Sequence, residues 1–130
     1  MSTPVDLKYT KSHEWVRTEP DGTLTVGITH HAQDLLGDLV FVETPALGRK
    51  LNQGEACAVV ESVKAAADVF APVSGEVVAI NAELADTPEK INQDAYAAWI
   101  FKLKPVAVGD VAGLLDAAAY QAIAAAGDNG

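Results

Sequence analysis

A mainly β fold with peripheral helices, closed into a flattened barrel or sandwich, is what this sequence of 130 residues predicts. Three observations carry the prediction. Turn signals recur at short spacing through the first two-thirds of the chain: Pro20-Asp21-Gly22, Gly37-Asp38, Pro45, Gly48, Asn52-Gln53-Gly54 and Pro72 to Gly75. Between them lie short runs rich in β-branched and other apolar residues. Apolar residues make up 49% and charged residues 21%, the balance of a packed globule, and the length fits one domain of the usual ~100–200 residues spanning 1–130.

In chain order, an N-terminal extension of about the first 20 residues leads into strands expected at Leu24–Ile28, Leu39–Glu43, Ala56–Glu61, Val69–Val73 and Glu76–Ile80. Thr29 has the side chain of an N-cap and opens a short helix to Leu36. Asn81–Asn92 reads as partly helical, with Pro88 suited to the first position of a helical turn. Trp99–Leu103 supplies a last strand, stopped by Pro105. Asp110 then caps a C-terminal helix over about 110–126, with Val111, Leu114, Leu115, Ala118 and Ala122 on one apolar face. The tail Gly127-Asp128-Asn129-Gly130 is expected to fray.

Charge and motif content narrow the function. Nine basic against eighteen acidic residues leave a net charge of −9, which repels phosphate backbones and anionic lipid, so neither nucleic acid nor a membrane is an expected partner. The single cysteine, Cys57, excludes an intramolecular disulfide and a multi-cysteine metal site, and its apolar neighbours suit a buried, inert thiol. The start, Met-Ser-Thr-Pro-Val-Asp, lacks the features of a leader, and no apolar run approaches the ~20 residues of a bilayer span, so a soluble, cytoplasmic protein is expected. G-x-G-x-x-G, P-loop, H-E-x-x-H and G-x-S-x-G motifs are absent. His30 and His31 are adjacent and point apart on a helix, and Asp34 and Asp38 read as a solvated helix end. No independent catalytic centre is visible, and no metal site is expected.

The segment Gly54–Gly75, GEACAVVESVKAAADVFAPVSG, stands out. It consists of two β-like runs of small and apolar residues meeting at Ser62-Val63-Lys64-Ala65. With Val63 and Lys64 as the loop, Ser62 faces Ala65, Val60 faces Ala67 and Ala58 faces Val69, and the last two pairs share a face that can pack inward. Glu61 with Ala66 and Val59 with Asp68 lie on the opposite face, leaving Asp68 partly exposed. Lys64 is the only basic residue between Lys50 and Lys90. Small flanks and a stiff support are what an acylation site needs, because a modifying enzyme must close over the amine and the added arm must point outward. The same pattern also describes a lysine that does no more than solvate a turn. A Schiff-base role fits poorly, since Glu61 and Asp68 favour the charged amine that such a nucleophile must avoid.

Several long blocks in order make the chain resemble the glycine cleavage system H protein family of lipoyl-bearing carriers. They are Tyr9-Thr10-Lys11-Ser12-His13-Glu14-Trp15-Val16-Arg17, Val26-Gly27-Ile28-Thr29, His31-Ala32-Gln33-Asp34-Leu35-Leu36-Gly37-Asp38, Val40-Phe41-Val42-Glu43, Glu61-Ser62-Val63-Lys64-Ala65-Ala66, Ala71-Pro72-Val73-Ser74-Gly75-Glu76-Val77, Trp99-Ile100-Phe101-Lys102 and Gly113-Leu114-Leu115-Asp116. The resemblance implies the barrel-sandwich hybrid of lipoyl and biotinyl domains plus the C-terminal helix, with lipoate attached covalently to Lys64. It further implies a carrier that is no enzyme by itself. Its partners are a pyridoxal-phosphate glycine decarboxylase that loads an aminomethyl group, a tetrahydrofolate-dependent aminomethyltransferase that removes it, and a flavin- and NAD-dependent dihydrolipoamide dehydrogenase that reoxidises the arm. A lipoate- or octanoate-attaching enzyme precedes them. The family's docking cleft for the loaded arm maps onto Ser12, Glu14 and Asp68, both acids being expected at exposed positions where they meet the cargo's ammonium.

Two departures stand against the family pattern. Asp94-Ala95-Tyr96-Ala97-Ala98-Trp99 lacks the usual proline and glycines before the tryptophan, and His30 stands where an acid is common. Related carriers fit less well: lipoyl domains of 2-oxo-acid dehydrogenases show Asp-Lys-Ala where this chain has Val63 before Lys64, and biotin carriers show Met-Lys-Met. A relay protein that donates its lipoyl or octanoyl group to those domains would need the same lysine, and stays open as an alternative.

Overall fold

The structure is a computed structural model that describes residues 4–127. Among the described residues, nine strands form two antiparallel sheets. In chain order they are β1 (Lys8–Tyr9), β2 (Glu14–Thr18), β3 (Leu24–Ile28), β4 (Leu39–Glu43), β5 (Lys50–Leu51), β6 (Ala56–Ser62), β7 (Ala66–Phe70), β8 (Gly75–Ile80) and β9 (Phe101–Pro105). The six-stranded sheet has the order β1-β2-β3-β9-β8-β5 and the three-stranded sheet the order β4-β6-β7. All five residues of β3 are buried, as befits a strand paired on both sides and covered on both faces. Val26, Phe101 and Leu103 of one sheet and Val42, Val60 and Val69 of the other belong to a single apolar cluster, so the sheets close on each other as a sandwich.

Close packing explains a glycine within β3. Trp15 on β2 pairs with Gly27, and a Cβ at Gly27 would sit 2.7 Å from the indole ring. The ring is fully buried, and its Nε1–H donates to the Ala95 carbonyl at 2.9 Å. The departing 94–99 loop therefore braces this tryptophan. Tyr96 of the same loop accepts from the His30 N–H through its hydroxyl, at 3.3 Å.

Helix α1 (His30–Leu36) starts as expected: Thr29 is its N-cap and its hydroxyl accepts from the Ala32 N–H at 3.2 Å. The expected partly helical stretch resolves into a 3₁₀ turn over Ala82–Ala85 and a short α2 (Lys90–Gln93). Two strands shift from expectation. The second arm of the hairpin ends at Phe70 instead of running on to Val73, and β9 begins at Phe101.

The C-terminal helix differs most. Residues Val108–Gly113 form a 3₁₀ turn, and α3 runs over Ala117–Gly127. Between them Leu115 pairs with Tyr9, through bonds of 2.8 and 2.9 Å that require extended backbone and interrupt the helix. The side-chain cap is consequently Asp116, whose Oδ1 accepts from the Ala119 N–H at 2.8 Å, and not Asp110. The buried face carries Ala117 and Tyr120, whereas Ala118 and Ala122 are exposed. With Leu7, Tyr9 and Trp15 these two residues make a second apolar cluster that seats α3 on β1 and β2. The last three residues of the expected fraying tail lie outside the described residues. No helix among the described residues is long and apolar enough to cross a membrane.

Candidate functional site at the β6–β7 hairpin

The hairpin pairs as its sequence predicts: Ala58 with Val69, Val59 with Asp68, Val60 with Ala67 and Glu61 with Ala66. Ala58, Val60 and Val69 face the core. Val63 and Lys64 form the two-residue loop, closed by the Ser62 N–H donating to the Ala65 carbonyl at 2.7 Å. Ser62 does more than end the strand. Its hydroxyl oxygen accepts from the Ala65 N–H at 3.1 Å and the Lys64 N–H at 3.3 Å, tying down the backbone on which the lysine stands. Sequence reasoning missed this role, although a serine two residues before a turn residue is its usual signature.

Lys64 is exposed at the tip between Val63, which is 83% exposed, and the small exposed Ala65 and Ala66. Its aliphatic stem passes over Gly37, the residue ending α1 at φ +86°, where a Cβ would lie 3.5 Å from Cε. A larger side chain there would crowd the lysine.

The free edge of β7 is the second part of the site. Antiparallel strands alternate between residues that bond to their partner and residues whose N–H and C=O point away. The bonded Ser62–Ala65 closure sets the phase, so Ala66, Asp68 and Phe70 turn their backbone groups outward, and among the described residues β7 has no strand on that side. The Phe70 N–H accordingly donates to Glu14 Oε2, at 3.2 Å. A cleft of about 160 Å³ runs along this edge. Ile28 and the α1 residues Ala32, Leu35 and Leu36 wall one side and Ala67 and Val69 the other, while Ser12, His13 and Asp68 are its polar lining. Asp68 lies four residues from Lys64, at most about 13 Å away at the ~3.3 Å per residue of extended chain.

The structure thus brings Ser12 and Asp68 to one cleft near Lys64, and both are exposed. Glu14 departs from its expected exposure. It is 1% exposed and lines a neighbouring recess of about 430 Å³, bounded by Thr10–Ser12, Gln53-Gly54, Phe70–Pro72 and Gly113–Leu115. Ser12 lines both cavities. The physical reason is that Glu14 serves as an internal acceptor. The hydroxyls of Thr10 and Ser12, the latter at 2.5 Å, both donate to Oε1, and the Phe70 N–H donates to Oε2. Burial nevertheless dominates and holds the carboxyl above the ordinary range, against the opposing pull of those hydroxyls and the Phe70 N–H. Glu14 therefore fastens the 10–14 loop to the edge of the hairpin. The alternating Thr10, Ser12 and Glu14 side chains are the sequence signal of this anchor.

Cys57 needs no functional role. Its thiol is buried, its Sγ–H donates to the Val69 carbonyl at 3.4 Å, and burial pushes its pKa up to about 12.

A two-sheet β fold with an exposed lysine at the tip of a stiff hairpin, and a cleft along the hairpin's edge, is the architecture of carrier domains of the lipoyl and biotinyl type. Comparison with known proteins narrows the class. The family model for the glycine cleavage H-protein matches residues 7–126. The chain is 73% identical over 121 residues to the glycine cleavage system H protein of Nitrosospira multiformis, covering 93% of this chain and 94% of the other. It is 69% identical over 123 residues to that of Thiobacillus denitrificans, covering 95% of each. The crystal structure of a glycine cleavage system H protein from Mycobacterium marinum superposes with a TM-score of 0.83 at 42% identity, covering 97% of this chain and 98% of that one. The chain belongs to the glycine cleavage H-protein family.

Proposed function

We propose that this protein is the lipoyl carrier of a glycine cleavage system, with lipoate joined to Lys64 through an amide. The observation that carries the reading is the tip: an exposed primary amine on a two-residue loop, held by the Ser62 hydroxyl and flanked by small side chains. These residues fit the group, since nothing bulky stands between the amine and a modifying enzyme. Attached lipoate supplies a redox-active disulfide that can accept and release a one-carbon amine. The chain itself supports, aims and shelters the arm. The partners are then a pyridoxal-phosphate glycine decarboxylase, a tetrahydrofolate-dependent aminomethyltransferase, a dihydrolipoamide dehydrogenase and the enzyme that attaches lipoate or octanoate. The carrier takes part in their chemistry without a catalytic residue of its own.

Docking follows from the cleft along β7. Its apolar walls exclude water from the arm, and the cargo is an amine that is cationic at neutral pH and easily lost to solvent. Asp68 supplies a carboxylate at the polar lining. The Ser12 hydroxyl donates its hydrogen bond to Glu14, which leaves its oxygen lone pairs to accept from an ammonium. Glu14 acts one step behind, polarising Ser12, in place of the direct contact expected from the sequence.

Intact-mass measurement on protein from lipoate-supplied cells tests the assignment. One lipoyl adduct is expected, on Lys64 by digestion. Lys64→Arg should abolish it with an unchanged melting temperature, because the side chain is exposed. An adduct on another lysine, or none, would overturn the reading.

A further inference from the structure

We propose that Tyr120, on the C-terminal helix, is a positioning residue for the cleft beside the hairpin, its hydroxyl tying together the loop and the helix that form the cleft's walls. The proposal rests on the reading of that cleft as the dock for the loaded arm.

Tyr120 does not line the cleft. It is 1% exposed, and its hydroxyl lies 2.7 Å from His13 Nδ1 and 2.7 Å from the Thr29 hydroxyl. Each of these partners belongs to a different wall. His13 lines the cleft directly and follows Ser12 in the same loop. Thr29 caps α1, which supplies Ala32, Leu35 and Leu36. The two partners are themselves joined, the Thr29 N–H donating to the His13 carbonyl at 3.0 Å. One hydroxyl therefore sits where loop and helix meet.

The loop needs such a restraint. His13 has φ +72°, a left-handed conformation that a residue with a Cβ adopts only when its surroundings hold it there. The next residue, Glu14, is fastened to the hairpin through the Phe70 N–H, and the Tyr120 hydroxyl holds His13 itself. The contacts join residues 107 and 91 positions apart, so the shape of the cleft depends on α3 being docked. Docking of α3 does not in turn depend on the hydroxyl. The Tyr120 ring stacks on Tyr9 with centroids 4.8 Å apart, a contact that phenylalanine would keep.

The test compares wild type, Tyr120→Phe, Thr29→Ser and Asp68→Asn in two measurements. In the unmodified protein, amide hydrogen exchange at Ala32 and Gln33 should quicken roughly three- to tenfold in Tyr120→Phe, the range expected for loss of one such hydrogen bond. The methyl resonances of Ile28, Leu35 and Leu36 should shift, while amides of β8 and β9 exchange as in wild type. Thr29→Ser, which keeps the hydroxyl, should match wild type throughout. In the lipoylated, aminomethyl-loaded carrier without partner enzymes, ammonia release should be several-fold faster for Tyr120→Phe, although modification of Lys64 proceeds at the wild-type rate. Wild-type exchange at Ala32 and Gln33 in Tyr120→Phe overturns the proposal. So does a uniform rise across the whole protein with unchanged ammonia release, which would make Tyr120 a stabilising residue only. If Asp68→Asn releases ammonia at the wild-type rate, the docking reading fails, and the exchange data still decide whether Tyr120 holds the walls.

Discussion

Glu14 shows how far a residue's identity falls short of its role. The family resemblance mapped an exposed contact for a cation onto this carboxylate, yet it is buried with three donors aimed at it. Because burial raises its pKa in the folded protein, the folded state binds more protons than the unfolded one between the ordinary carboxylate value and the raised value. Over that window Glu14 makes stability fall as pH rises. Glu14→Gln removes this contribution, while the acids whose pKa values are lowered, Glu19, Asp21 and Glu55, act with opposite sign and equally in both proteins. Urea unfolding across a pH series should therefore show wild type minus Glu14→Gln declining as pH rises from the usual carboxylate range and levelling above the raised value. A difference independent of pH would contradict a buried, titrating Glu14. Lys64, by contrast, was legible from sequence alone, since a lone basic residue between small neighbours needs no tertiary partner to be exposed.

At the scale of elements, the hairpin obeys its local pattern because period-two alternation decides both its register and its buried face. Its tip depends on Ser62. Ser62→Ala should free the Lys64 and Ala65 N–H groups, a loss of about 1 kcal/mol confined to the turn. Exchange at Ala65 should accelerate and Lys64 modification should slow by a few-fold, with little change in the urea midpoint. Gly75 at the start of β8 is less forgiving, because a Cβ there would meet the Lys104 carbonyl oxygen at 2.6 Å. That neighbour is backbone and cannot swing aside, so Gly75→Ala should destabilise by roughly 1–3 kcal/mol in urea unfolding as β8 and β9 are pushed apart. The C-terminal helix starts later than its periodicity predicts, for the complementary reason. Its helical periodicity ran on through Leu114 and Leu115, but the bridge between Leu115 and Tyr9 takes extended backbone from that stretch.

For the whole molecule, a net charge of −9 acts over distances that no single contact reaches. Partners presenting basic patches would be steered onto such a carrier, and the attraction is screened over about 10 Å at 0.1 M salt. In a coupled glycine-exchange assay, raising salt from 50 to 300 mM should increase the KM for the carrier while leaving kcat nearly unchanged. A KM that does not respond to salt would assign the charge to solubility alone.

Composition, turn spacing and the hairpin's alternation determined the β fold, the exposed lysine at the hairpin's tip and the inward face of β6 and β7, because each depends on residues close together in the chain. What surrounds the lysine was decided only in three dimensions. The cleft takes its walls from the 10–14 loop, α1 and β7, and its restraints from Phe70 and Tyr120, partners 56 and 107 positions away from Glu14 and His13. Such contacts leave no periodic trace in sequence. Whether an acid there meets solvent or becomes an internal anchor depends on which donors the fold brings to it, and that choice buried Glu14 while leaving Asp68 at the surface.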